Sequence, residues 1–171
     1  MDFKVIKDEL QLILQGKSTV GNGELIQTIT AYLRKSTKTS SMAERDKPNR
    51  EEETEKLIQF INANNLWNCN INFSSFISQG AEQRIFLQNK KKVLKLNDAI
   101  YYTSWFDYLN NLLLNNYFFP DTAYKLLGFY KADNDAIYAL VEQNYVEANK
   151  PTDLNQVKLF LEINNISITK S

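Results

Sequence analysis

Apolar residues recur at helical spacing through the first third of the chain. Val5, Ile6, Leu10, Ile13 and Leu14 predict a helix over residues 3–14, which Gly16 can stop. A second helix is predicted from Asn22 onward, with Leu25, Ile26, Ile29, Tyr32 and Leu33 on its apolar side. Residues 36–49, STKTSSMAERDKPN, are polar and aperiodic, which predicts a surface loop or a linker between helices. Helical periodicity returns over residues 51–64. Leu57, Ile58, Phe60 and Ile61 supply a buried face there, and the acidic first turn suits the helix dipole.

After Trp67 the period changes. Strands are predicted over residues 71–78, 83–88 and 92–97, the last two joined by a turn at Asn89, Lys90 and Lys91. A helix follows over 104–115, with Trp105, Tyr108, Leu109, Leu112 and Leu113 apolar. Pro120 forbids its simple continuation. Two more strands, 123–130 and 137–143, flank a turn at 131–135, and a last helix spans 152–164 behind a Thr152 or Asp153 cap. Three strands, one helix, two strands, a connecting segment and a helix make an α+β chain. The expected organisation is a helical leader at 1–67, an α+β domain with a five-stranded antiparallel sheet and one packed helix at 68–148, and a helix with tail at 149–171.

Composition narrows the chemistry more than it names it. With 171 residues, 43% hydrophobic and 12% aromatic, the chain can bury a core. Twenty basic and twenty acidic side chains leave no net charge, which argues against nucleic acid or an anionic membrane as partner. The halves differ in sign: residues 1–96 carry fifteen basic and eleven acidic side chains, and the remainder five and nine. No stretch approaches the ~20 apolar residues of a membrane span, and the N-terminus resembles no secretory signal. The single cysteine, Cys69, excludes an internal disulfide, fits a reducing cytoplasm and has no basic sequence neighbour to activate it. The chain has no histidine, which removes Ser/His/Asp and Cys/His nucleophilic sites and His-containing zinc sites. No catalytic residue and no metal ligand is assigned.

The candidate chemistry lies in FSSFISQGAEQRIFLQNKKKVLK, from Phe73 to Lys95. Ser78, Gly80, Gln83 and Ile85 fall at the spacing of a turn that brings backbone N–H groups to phosphates, although a lone glycine between strands is also what an ordinary hairpin uses. Lys95, in KVLKLN, sits within an apolar run. Either it faces inward and must meet an anion, or the strand is half exposed and the ammonium is in water. Its candidate carboxylate partners are Asp107, which can equally be a first-turn aspartate favoured by the helix dipole, and Glu82 in the turn. In LVEQNY, the switch from apolar to polar at Glu142 and Gln143 suits a segment whose main chain takes an adenine edge, or simply a strand end. Trp105, Tyr108, Phe118 and Phe119 read as core.

Taken together, SQGAEQRIFL, KVLKLND, YYTSWFDYLNNLLLNNYFFPDTAYKLLGFY and IYALVEQNYVEANKPTD resemble the kinase-like domain of polyvalent proteins from phages and mobile elements of Bacteroidetes type, over about residues 70–165. The resemblance implies a protein-kinase-like small lobe in which Lys95 matches the lysine on the ATP phosphates, Gly80 the phosphate-loop glycine, and Glu142 and Gln143 the segment between lobes. It also implies that the catalytic Asp and the metal-binding Asn and Asp lie beyond the final helix. The expectation is therefore a truncated small lobe with at most weak binding of ATP and magnesium, no autonomous phosphotransfer, and a large-lobe partner to complete it. The other reading is a non-catalytic protein-binding module, an antitoxin, immunity or regulatory protein with a toxin-like partner, on the same fold.

Overall fold

A computed structural model describes residues 3–37, 50–68, 70–146 and 151–163. Cys69 and residues 38–49 lie outside the described residues. Helices α1 (Phe3–Leu14), α2 (Glu24–Thr37) and α3 (Arg50–Ala63) precede strands β1 (Phe76–Gln79), β2 (Gln83–Asn89) and β3 (Lys92–Asn97). Then come α4 (Trp105–Phe118), β4 (Lys125–Lys131), β5 (Ile137–Asn144) and α5 (Leu154–Ile163). The strands form one antiparallel sheet in the order β1-β2-β3-β5-β4. This is the α+β architecture that the periodicity implied. Among the described residues no helix is long and apolar enough to cross a membrane.

Several boundaries differ from the sequence pattern, three of them for a clear local reason. Asn22 takes a φ of 57°, so α2 opens at Glu24 instead. The Asn72 side chain accepts hydrogen bonds from the Ser74 N–H at 3.1 Å and the Ser74 hydroxyl at 2.7 Å. That local bonding folds residues 73–75 into a 3-10 turn, and β1 starts only at Phe76. Helix α4 runs on to Phe118, close against Pro120, where a short turn at Pro120–Thr122 sends the chain back into β4.

The sheet is covered on both faces. Phe86, Leu94, Leu96 and Leu140 form a buried cluster with Ile71 on one side. On the other, Leu126, Phe129, Ala139 and Val141 pack with Trp105, Tyr108, Leu109 and Leu113 of α4. The same cluster continues without a break into Ile26, Ile29 and Leu33 of α2 and Leu57, Phe60 and Ile61 of α3, so the upstream helices cover the outer side of α4. The β4 edge is closed by residues 66–68: the Phe129 N–H donates to the Leu66 carbonyl at 2.9 Å and the Asn68 N–H to the Phe129 carbonyl at 2.8 Å. Gly128, at φ 140°, permits this approach, because a Cβ there would stand 2.4 Å from the Leu66 oxygen.

Helix α4 is pinned at its start by groups from α3. The Ser104 hydroxyl accepts the Asp107 N–H at 3.0 Å, as an N-cap does. The Trp105 and Phe106 N–H groups, which have no partner within the helix, donate to the two carboxylate oxygens of Glu53 at 2.7 and 3.1 Å. Arg50, one turn earlier, donates to the carbonyls of Tyr102 at 2.9 Å and Asp98 at 3.1 Å and so holds the loop between β3 and α4. Glu53 is buried, and its charge meets the positive end of the α4 dipole. Glu53→Ala leaves two amide donors without acceptors, at a cost of about 2–3 kcal/mol. Thermal unfolding of the variant should show the midpoint falling by roughly 5–10 °C; an unchanged midpoint contradicts this cap.

Candidate functional site

The alternation of β3 sorts its side chains between the two faces. Lys95 stands opposite Val141, which packs toward α4, whereas Leu94 and Leu96 join the far cluster. Val93, Lys95 and Asn97 therefore share the α4 side of the sheet. Lys95 points inward and is half-buried, which settles the choice between an inward and a solvated lysine. Its Nζ lies 3.5 Å from the Tyr124 hydroxyl and 5.2 Å from the centre of that ring. Ion pairs among the described residues include Lys92–Glu142, Lys131–Asp135 and Lys158–Glu162. Lys95 has no carboxylate partner among them.

Burial without a counter-charge holds the Lys95 ammonium below its ordinary pKa of 10.5. Nearby, Tyr124 is raised by burial, partly offset by a hydrogen bond from Gln143. Tyr102 is pushed up to about 12 by burial, then by the charge of Glu82 and the hydrogen bond to it. The Tyr102 hydroxyl donates to Glu82 at 3.3 Å. These phenols stay protonated at neutral pH, so Tyr124 meets Lys95 as a neutral group.

Beyond Lys95 the α4 face of the sheet opens into a cavity of about 350 Å³. Glu82, Gln83 and Asn97 line it from the sheet end, Tyr108 and Asn115 from α4, and Tyr124 from the strand side. Tyr124 thus touches both Lys95 and the cavity. The Gln143 side chain lies on the same face, opposite Val93, and donates to the Thr122 carbonyl at 2.6 Å.

The structure gathers some of the sequence-derived candidates and disperses others. Lys95 and Gln143 share one face, and the turn bearing Gly80 and Glu82 stands at the far end of it. Gly80 is exposed, its N–H donates to the Gln83 carbonyl at 3.0 Å, and a side chain there would meet nothing within 4 Å. Asp107 does not meet Lys95. Its carboxylate accepts the Thr103 hydroxyl at 2.9 Å and the Asn111 amide at 3.3 Å, as a first-turn aspartate does. Glu142 stands opposite Leu94, on the face away from α4, and pairs with Lys92. The main chain at Glu142 is in register with both Leu94 and Lys125, so it belongs to the sheet there.

Phe118 and Phe119 depart from the core role their composition suggested. Both are exposed and line the cavity, because the turn at Pro120 leaves the end of α4 outside the sheet. Tyr124, Tyr102 and Asn115 carried no sequence signal, since isolated tyrosines and asparagines in an apolar chain have no spacing to mark them.

The charge state of Lys95 has a consequence for stability. Its folded pKa lies below the unfolded value, so the unfolded chain binds the proton more readily and stability rises as pH climbs toward 10.5. Lys95→Met keeps the apolar stem and removes the buried charge. The variant should unfold at a higher temperature than wild type at pH 7, and the gap should narrow as pH approaches 10.5; a lower midpoint at pH 7 contradicts a strained ammonium.

Residues 50–171 match the family described as serine/threonine/tyrosine kinase found in polyvalent proteins. No curated protein and no solved structure matches the chain.

Proposed function

Because the chain belongs to the family of serine/threonine/tyrosine kinases found in polyvalent proteins, we propose that it grips the phosphates of ATP through Lys95. One observation carries the reading: a half-buried lysine on the inner face of the sheet, without a carboxylate partner among the described residues, beside a cavity. A desolvated ammonium is costly unless an anion compensates it. The residues fit a phosphate group to the extent that the Lys95 cation stands beside one neutral donor, the Tyr124 hydroxyl. Bound there, the Mg–ATP complex would supply the phosphoryl group, while this chain orients it through the charge of Lys95.

The grip is weak, and the chain performs no phosphotransfer alone. Positioning and metal charge supply most of the catalysis in phosphoryl transfer, and among the described residues no three carboxylate, histidine or cysteine side chains cluster to hold a metal ion. A large-lobe partner, acting in the cytoplasm, completes the site. A second reading is favoured by a separate observation. On α5 the side chains of Leu154, Val157, Leu159, Phe160 and Ile163 are exposed, near the equally exposed Phe119, which suits a non-catalytic protein-binding module with a toxin-like or regulatory partner.

Nucleotide separates the two. A ligand that binds only the folded state, at a hundred times its dissociation constant, adds ~2.7 kcal/mol. Titration with Mg-ATP should raise the unfolding midpoint of the wild type and leave Lys95→Ala unmoved. No shift in the wild type, or an equal shift in both proteins, rejects the nucleotide grip by Lys95.

A further inference from the structure

The cavity between the sheet and α4 carries a single charged side chain on its wall, the carboxylate of Glu82. Among the described residues Glu82 makes no ion pair; it accepts the Tyr102 hydroxyl at 3.3 Å. Helix α4, which builds much of the wall, has no basic residue anywhere along its length. Tyr102 stands half-buried beside Glu82, and the buried ring of Tyr108 backs it at 5.1 Å and 71°, so that two aromatic rings make a corner next to the carboxylate. The wall continues to the exposed rings of Phe118 and Phe119.

Electrostatics gives this lining one sign. Burial raises the pKa of Tyr102, Tyr108 and Tyr124, and the charge of Glu82 adds to the rise in each, so its negative field reaches along the cavity. Neutral phenol rings and a carboxylate attract a cation and repel phosphate. Lys95 fixes the end at which such a cation sits. Its own ammonium already lies 5.2 Å from the centre of the Tyr124 ring, which disfavours a second cation there. Glu82 is three residues from Ile85, the β2 partner of Lys95, about 10 Å along the strand. At that separation, close to the screening length at moderate salt, Lys95 opposes a cation beside Glu82 only weakly.

We propose that the Glu82 end of this cavity binds the guanidinium of an arginine side chain presented by a peptide. A guanidinium is flat, so it stacks against the Tyr102 ring while its fork of N–H donors reaches the Glu82 carboxylate and the side-chain oxygen of Gln83, which lines the same end. An ammonium has the charge but neither the plane nor the fork. The apolar stem of the arginine lies along the cavity of about 350 Å³, where Leu112 of α4 contributes to the wall. Arginine binding at this end needs no nucleotide at Lys95.

N-acetyl-arginine amide is the probe, titrated without nucleotide at low ionic strength into the full chain and followed by two-dimensional NMR. The amide signals of Glu82, Gln83 and Tyr102 should move and saturate. N-acetyl-citrulline amide, which has the same shape without the charge, should bind about tenfold more weakly or not at all, and N-acetyl-lysine amide should fall between them. Glu82→Gln, an exposed and isosteric change, should leave the unfolding midpoint where it is and weaken the arginine probe about fivefold. Equal binding of arginine and citrulline probes, wild-type affinity in Glu82→Gln, or no movement of those three signals overturns the site, and equal binding of the lysine probe overturns its preference for a guanidinium. None of these results touches the Lys95 reading, which the Mg-ATP titration tests by itself.

Discussion

The Glu53 carboxylate at the start of α4 is the contact on which the rest of the site depends. It satisfies two amide donors at once, in a buried position, at the positive end of the helix. Asn116 performs the matching task near the other end: its Nδ2 donates to the carbonyls of Tyr124 at 2.8 Å and Gly21 at 3.1 Å, and its Oδ1 accepts the Tyr124 N–H at 2.7 Å. These anchors tie both ends of α4 to its neighbours, and Tyr108 and Asn115 on it line the cavity. The Asn116 bonds also fix Tyr124, the ring that carries Lys95. Thus the helices upstream of the sheet, through α3 directly and through the α1–α2 loop at Gly21, set the geometry of the ligand side.

Around that rigid frame the site is built from groups that the fold leaves unsatisfied. Lys95 loses hydration without a carboxylate partner among the described residues, and Asn115 Nδ2 on α4 is buried without an acceptor. Each lowers the stability of the free chain, and such costs persist where a ligand offsets them. The far face of the same sheet shows the contrast, with Leu94, Leu96, Phe86 and Leu140 packed as apolar core and Glu142 paired to Lys92. One strand therefore presents a finished surface on one side and an unfinished one on the other.

Much of the fold was legible from periodicity because each segment agrees with its own local preferences. The alternation in KVLKLN put Val93 and Lys95 on one face correctly, since β3 is regular through its length. The pattern failed where side chains bond their own backbone, as Asn72 does, or where a left-handed residue such as Asn22 delays a helix. For the site, Lys95 was visible as a charge in an apolar run. Its surroundings were not: Asp107 is spent on Thr103 and Asn111, and the ring that holds Lys95 lies 29 residues away in the chain. The Glu53 cap spans 52 residues and leaves no local trace beyond one acidic first turn among several.

The central claim is that Lys95 is held short of a counter-charge until a phosphate arrives. Its most direct test is the pKa of the Lys95 ammonium, followed by NMR of the side-chain nitrogen with and without saturating Mg-ATP. The account predicts a value below the ordinary 10.5 in the free chain and a rise when the nucleotide is present, because a neighbouring anion favours the charged form. A value that Mg-ATP leaves unmoved would contradict it.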